Sequence, residues 1–195
     1  EPSAASALGN PQTSAVATAD YWLLNGTKIF ITNGLYADTY FVTAMTDKSQ
    51  RSRGISAFIV EKGTPGFTFG TKEKKMGIRG SATYELVFQD CKIPKENLLG
   101  ELGKGFKMAL MTLDGGRIGV AAQAKQDREP FSHLAAMGKL YAAEAATNVT
   151  RRCLQLVGYE GYSRDLPFER LMRDAKITEI YEGTSEVQRM VISSW

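Results

Sequence analysis

The richest concentration of chemistry-capable residues lies near the end of the chain, in Arg173-Asp174-Ala175-Lys176-Ile177-Thr178-Glu179-Ile180-Tyr181-Glu182-Gly183-Thr184-Ser185-Glu186. Within it Glu182 directly precedes Gly183, and Ser185 is followed three residues later by Gln188, the spacing of a reciprocal helix cap. The pattern predicts a helix beginning at Ser185 and puts Glu182 in a tight connection between two helical pieces, its direction set by Gly183. Unfilled N–H groups at the new helix start would lie nearby, able to hold an anionic or polar ligand group. A carboxylate fixed on a loop beside preorganised donors suits general-base chemistry. A solvated glutamate ahead of a helix cap has the same spacing, and that reading stays open on the residues alone.

Two kinds of element must position this segment. From residue 20 to about 100 the chain reads as β structure. Tyr21-Trp22-Leu23-Leu24 runs into Asn25-Gly26, the pair favoured in tight hairpin turns, and Thr27-Lys28-Ile29-Phe30-Ile31-Thr32 is expected to return. Further runs rich in β-branched and aromatic residues are Thr39–Thr43, Ile55–Val60 and Glu85–Phe88, separated by the turn signals Thr64-Pro65-Gly66, Gly77, Gly80 and Ile93-Pro94. Short strands at this spacing predict a compact antiparallel barrel or sandwich. From Phe106 the composition becomes helical. Helices are expected over Phe106–Ala124, where Gly115-Gly116 weakens the pattern, over Ser132–Val157, over Phe168–Ile177 and over Glu186–Ile192. The fold class is therefore mixed α and β: a β-barrel domain over residues 1–100, then a partial helical-bundle domain over 101–195. The polar break Lys125-Gln126-Asp127-Arg128-Glu129-Pro130 and the thin set of helices make that second part look incomplete.

Composition excludes several function classes. The 24 basic and 21 acidic residues give a net charge of +3, too balanced to argue for a nucleic-acid partner. Cys91 and Cys153 are too few for a disulfide framework and lack metal-ligand spacing, which fits a reducing compartment. His133 is the single histidine, so neither a histidine metal cluster nor a Ser-His-Asp triad has a supporting pattern, and no metal is expected. No apolar run approaches the roughly 18 residues of a membrane span, and no signal peptide is visible. Glu1-Pro2-Ser3 and Trp195 both read as cuts in a longer protein.

Several motifs in order along the chain carry a resemblance. Arg173–Glu186 closely resembles the carboxyl-terminal signature of the acyl-CoA dehydrogenases, and Leu24-Asn25-Gly26-Thr27-Lys28 with Phe30-Ile31-Thr32-Asn33-Gly34 resembles the family's flavin-contacting strand. Gly54-Ile55-Ser56-Ala57-Phe58, Gly77-Ile78-Arg79-Gly80-Ser81, Asp90-Cys91-Lys92-Ile93-Pro94-Lys95 and Thr112-Leu113-Asp114-Gly115-Gly116-Arg117-Ile118-Gly119 follow in family order. Among members the chain looks most like the short-chain, butyryl-type enzymes. The resemblance implies two helical domains around a β-barrel, FAD bound between domains and subunits, and a homotetramer. It implies oxidation of a short-chain acyl-CoA to the trans-2-enoyl-CoA in fatty-acid or branched amino-acid catabolism, with electrons passed to an electron-transferring flavoprotein. The compartment would be the mitochondrial matrix in a eukaryote and the cytoplasm in a bacterium.

Residue by residue, the resemblance makes Glu182 the base that takes the α-proton, in a site shielded from water, while the β-hydrogen leaves as hydride to the flavin. It makes Phe30, Ile31 and Thr32 the strand against the flavin, with Thr32 the hydroxyl near its N5 atom; Phe30 and Ile31 would serve equally as barrel core. Ser6, Thr184, Ser185 and Glu186 match FAD contacts, and Gln155 and Gly158 match the segment reaching a neighbouring subunit's FAD. Asp114, Gly115, Gly116 and Arg117, with Gly183, match substrate contacts. This sequence departs from the family at Ala5 and Ala7, which flank Ser6 where a glycine and an aspartate are usual, and at Tyr159-Glu160, where a glycine and a variable residue are usual. The resemblance also implies an amino-terminal helical domain outside these residues and a family segment missing between Ala124 and Lys125. Two other readings accompany it: a truncated, inactive relative acting only through interactions, and an acyl-CoA oxidase that passes electrons to oxygen.

Overall fold

The computed structural model describes residues 11–116 and 131–194, with side chains as far as Thr112 in the first stretch. Ser6, Arg117 and the junction between Ala124 and Lys125 lie outside the described residues. So do the side chains of Asp114, Gly115 and Gly116, whose backbone belongs to helix α1 (Gly105–Gly116). The backbone forms two compact units, one holding residues 11–74 and 80–111, the other 75–79, 112–116 and 131–194.

In the first unit, strands β1 (Ser14–Ala17), β2 (Tyr21–Thr32), β3 (Thr39–Met45), β4 (Ile55–Glu61), β5 (Phe67–Lys72), β6 (Thr83–Pro94) and β7 (Leu98–Leu99) make one sheet. Their order is β5-β6-β2-β1-β3-β4-β7, antiparallel except where β1 meets β3 at Ser14 and Met45. The sheet is open, not the closed barrel expected from strand spacing. Closure would require its two edges to pair; β5 pairs with β6, and β7 is a two-residue strand against Ala57 and Phe58.

The expected Asn25-Gly26 hairpin is also corrected. β2 runs unbroken through both residues, and its register against β6 slips there, between Leu24 and Gly26. Asn25 donates from Nδ2 to Asp90 Oδ1 at 3.1 Å and accepts the Asp90 backbone N–H at 2.8 Å. Gly26 has φ +144° and lies against the Thr13 backbone with no room for a side chain. The pair therefore makes a bulge that bends a long strand, a role open to the same residue types.

Alternation places Tyr40, Val42 and Ala44 of β3 inward, where they join Leu24, Phe58, Val60, Phe67, Leu86, Phe88 and Ile93. Trp22 meets Phe58 edge-on at 5.3 Å, and Phe67 stacks on Phe88 at 4.9 Å. Cys91 shares this core as a free thiol, and burial pushes its pKa up to about 11. In the native protein at neutral pH, Cys153, which is half-buried, should react with a thiol reagent while Cys91 should not until the chain unfolds. Rapid native labelling of Cys91, read by mass spectrometry of its peptide, would show that the sheet unit opens readily.

The second unit is built on α2 (Ser132–Val157), with α3 (Tyr159–Tyr162), α4 (Phe168–Lys176) and α5 (Ser185–Ser193) beside it; α1 spans Gly105–Gly116. Small buried residues at Ala135, Ala136 and Ala143 form the inner stripe of α2 and allow close approach of its neighbours. Residues 75–79 are strapped to α4. Asp174 Oδ1 accepts the Ile78 N–H at 2.5 Å, and Arg173 donates to the Met76 carbonyl at 2.6 Å while gripping both oxygens of Glu169. Arg173 holds the Glu169 carboxyl below its ordinary range through that hydrogen-bonded pair. A methyl at Gly77 would overlap the Arg173 carbonyl oxygen, which is backbone and cannot swing aside. Gly77→Ala should therefore cost about 1–3 kcal/mol of stability in urea unfolding; no measurable loss would mean the strap is not held tightly.

Candidate active site

Glu182 lies in the short connection expected between two helical pieces. α4 ends at Lys176, a 3-10 turn covers Ile177–Glu179, and Ile180 and Tyr181 close back onto the Ile177 carbonyl at 2.9 and 3.0 Å. The chain then takes two left-handed steps, at Glu182 (φ +52°) and Gly183 (φ +91°), before α5 begins. Glycine suits the second step. At the first, a side chain is tolerated at a cost of about 1–2 kcal/mol.

The cap differs by one residue from the expected pattern. Thr184, not Ser185, is the N-cap, accepting the Val187 N–H at 3.4 Å, and Ser185 opens the helix. Ser185 is buried, and its hydroxyl has no hydrogen-bond partner among the described residues. Gln188 does not complete a reciprocal cap. It is fully buried and donates to the carbonyls of Glu182 at 3.2 Å and Gly183 at 3.0 Å. The expected unfilled helix-start donors are partly taken as well. Glu186 is held below the ordinary carboxylate range first by its own backbone N–H and then by the Thr184 hydroxyl. That negative charge at the helix start disfavours a phosphate there and leaves room for a neutral hydroxyl.

Thr184, Ser185 and Glu186 line a cleft of about 220 Å³ with Lys176, Glu179, Ile180, Arg189 and Glu144. Its cations are paired, Lys176 with Glu179 at 2.5 Å and Arg189 with Glu144. Gln155 and Gly158 sit exposed at the far end of α2, where Gly158 (φ +71°) ends the helix and Tyr159 stands 87% exposed. Glu182 itself is exposed in the helical unit. The expectation of a carboxylate sealed from water is not met by these residues alone, because α2 and α5 hold the loop through its backbone carbonyls and leave Glu182 exposed.

In the sheet unit, a register slip between Lys28 and Ile31 marks the end of β2, and Phe30 takes φ +58°. The irregularity turns Phe30 out of the core, leaving it 60% exposed, while Ile31 packs against the buried cluster. The barrel-core reading therefore holds for Ile31 and fails for Phe30. Thr32 is exposed one residue further on, opposite Thr83 of β6. The turn that follows is fixed by Tyr40, whose hydroxyl meets the carbonyl oxygens of Gly34 and Ala37, each at 2.7 Å.

The residues missed by sequence reasoning are Lys139 and the true role of Gln188. Lys139 is 4% exposed and donates to the Gly183 carbonyl at 2.7 Å. A signal for it exists: Ala135, Ala136, Lys139 and Ala143 recur at helical spacing, which puts a lysine on the inner face. Among the described residues no group of three or more histidine, cysteine or carboxylate side chains is arranged to hold a metal, and no helix is long and apolar enough to cross a membrane.

Comparison with known proteins adds the lineage. The family described as acyl-CoA dehydrogenase, middle domain, matches residues 1–91, and that described as acyl-CoA dehydrogenase, C-terminal domain, matches residues 120–195. The short-chain specific acyl-CoA dehydrogenase, mitochondrial, of Rattus norvegicus is 42% identical over 248 aligned positions, covering 99% of this chain and 60% of the relative. The butyryl-CoA dehydrogenase structure of Megasphaera elsdenii superposes with a TM-score of 0.93 at 46% identity, covering all of this chain and 65% of that one. A chain from structural work on the electron transferring flavoprotein of Acidaminococcus fermentans matches with the same TM-score and identity, over 99% of this chain and 65% of that one. The chain thus spans less than two thirds of the length of these relatives. With its two parts matching the family's middle and C-terminal domains, and with relatives 42% and 46% identical along nearly its whole length, the chain belongs to the acyl-CoA dehydrogenase family.

Proposed function

We propose that the whole protein is an FAD-dependent acyl-CoA dehydrogenase acting on a short-chain acyl-CoA, with Glu182 as its base. The observation that carries this reading is the intact Arg173–Glu186 segment, folded so that Glu182 occupies a left-handed turn between helices, in a chain 46% identical to a butyryl-CoA dehydrogenase. The residues present fit a flavin. Phe30 is turned outward at the end of β2 as a flat apolar surface, and Thr32, two residues on, is exposed as well. Separately, the helical unit offers a polar cleft lined by Thr184, Ser185 and Glu186.

In this reading Phe30, Ile31, Thr32, Thr184, Ser185 and Glu186 would hold FAD, with Ser6, Gln155 and Gly158 as further contacts. Asp114, Gly115, Gly116, Arg117 and Gly183 hold the acyl-CoA. The Glu182 carboxylate removes the α-proton of the thioester, whose acidity in water is far below that of a carboxylic acid, so the transfer requires close, fixed geometry. When bound, FAD supplies the acceptor for the hydride that leaves the β-carbon. Water exclusion around Glu182 would be supplied by bound substrate and cofactor. Transfer of electrons to an electron-transferring flavoprotein, assembly as a homotetramer, and residence in the mitochondrial matrix or bacterial cytoplasm complete the proposal.

The test is anaerobic mixing of butyryl-CoA with the purified full-length protein. Loss of oxidised-flavin absorbance with formation of the enoyl-CoA supports the reading, and peroxide formation in air without an acceptor protein would reassign it to an oxidase. A second reading, a shortened inactive relative, is favoured by one observation: the alignment with the rat enzyme spans 248 positions, whereas this chain has 195 residues. A native protein of this mass carrying no flavin would establish it.

A further inference from the structure

Two buried side chains from different helices converge on the carbonyls that flank the candidate base. Lys139 of α2 is 4% exposed and places its ammonium on the Gly183 carbonyl at 2.7 Å. Gln188 of α5, with no exposed surface, donates from Nε2 to the same carbonyl at 3.0 Å and to the Glu182 carbonyl at 3.2 Å. Its Oε1 has no hydrogen-bond partner among the described residues, a penalty accepted while Nε2 stays on the loop. The backbone so held passes through two consecutive left-handed residues, Glu182 and Gly183.

Each part of this arrangement is costly. A lysine stands in an inner stripe otherwise made of Ala135, Ala136 and Ala143, where an apolar side chain would pack without desolvating a charge. A non-glycine residue in the left-handed region relaxes unless its surroundings prevent it, and such strain persists where the structure over-determines it. The Glu182 side chain is exposed, so the loop backbone sets the point from which its carboxylate must reach.

We propose that Lys139 and Gln188 are positioning residues, which clamp the Glu182–Gly183 turn so that the Glu182 carboxylate stays aimed at the α-carbon of the thioester. The inference rests on the reading of Glu182 as base. It predicts a loss in the proton-transfer step with little change in binding, since misplacing a reacting group by one ångström lowers the rate by about 100-fold.

The test uses the full-length, flavin-loaded protein as wild type, Lys139→Met, Lys139→Arg and Glu182→Gln. Flavin content, kcat and KM for butyryl-CoA are measured, together with exchange of the acetyl-CoA methyl protons in heavy water. Acetyl-CoA has no β-carbon, so its exchange reports only transfer of an α-proton to the Glu182 carboxylate and return of a solvent deuteron. Lys139→Met should lower kcat and exchange by about 10- to 100-fold with KM nearly constant and flavin retained, and Lys139→Arg should recover most of both. If Lys139→Met exchanges like wild type while Glu182→Gln does not, the clamp is overturned and Glu182 stands as base. If wild type itself does not exchange, both ideas fall. Should Lys139→Met fail to fold, Gln188→Met removes the other arm, and unchanged exchange there overturns the clamp. A joint fall of kcat, flavin content and substrate binding that arginine does not rescue marks a packing role and also overturns it.

Discussion

Replacing Glu182 by glutamine in the full-length protein should stop flavin reduction by butyryl-CoA, lowering its rate by at least about 10²–10⁴-fold, while leaving the protein folded and flavin-loaded. The amide has the shape of the carboxylate but no basicity, and the α-carbon of a thioester does not give up its proton to a neutral amide. The substitution leaves the turn itself alone. Lys139 and Gln188 grip the carbonyl oxygens of Glu182 and Gly183, and those oxygens are the same in the variant. The side chain is exposed and the amide has nearly its volume, so the exchange opens no cavity in the core. Rapid anaerobic mixing gives the rate, and the visible spectrum gives the flavin content. A variant within about tenfold of wild type would remove Glu182 from the chemistry and, with it, the mechanism proposed for this chain.

The largest expected effect on stability is at Phe58. Truncation to alanine should cost about 3–5 kcal/mol, the range for emptying a fully enclosed aromatic site. Phe58 has no exposed surface, lies on β4 between β3 and β7, and is met edge-on by Trp22 from β2. Backbone pairing holds the strands on either side, so the sheet cannot collapse into the hole, and the cavity cost adds to the lost burial. Because Trp22 borders the site, its fluorescence follows the same unfolding event during urea denaturation of the full-length protein. A loss below about 1 kcal/mol would show that this part of the sheet closes up readily, contrary to the packing described.

The two expectations fail or hold for different physical reasons, as the elements around them did. The long helix over Ser132–Val157 was legible because its Ala, Leu, Met and Glu content acts locally, turn by turn. The Asn25-Gly26 pair was not. It favours a tight turn in isolation, but its partners are Thr13 and Asp90, the latter 65 residues away, and those contacts decide for a bulge in a continuous strand. β1 and β7 are too short to show a period, and Gly70 interrupts the composition of β5, so all three escaped notice. The cap shifted from Ser185 to Thr184 because the left-handed steps at Glu182 and Gly183 set where the helix begins.

What the chain's sequence determined by itself is the inventory: which residues could do the chemistry, their order, and the helix-former and strand-former blocks that carry them. These properties reside in side-chain type and short-range spacing, and they survive without knowing any partner. Only the tertiary structure decided that Phe30 faces outward while Ile31 faces in, that Ser185 is buried, and that a lysine 44 residues away holds the loop of Glu182. Those outcomes depend on which distant groups come within hydrogen-bonding or van der Waals range, energies that fall off over a few ångströms and leave no trace in local spacing.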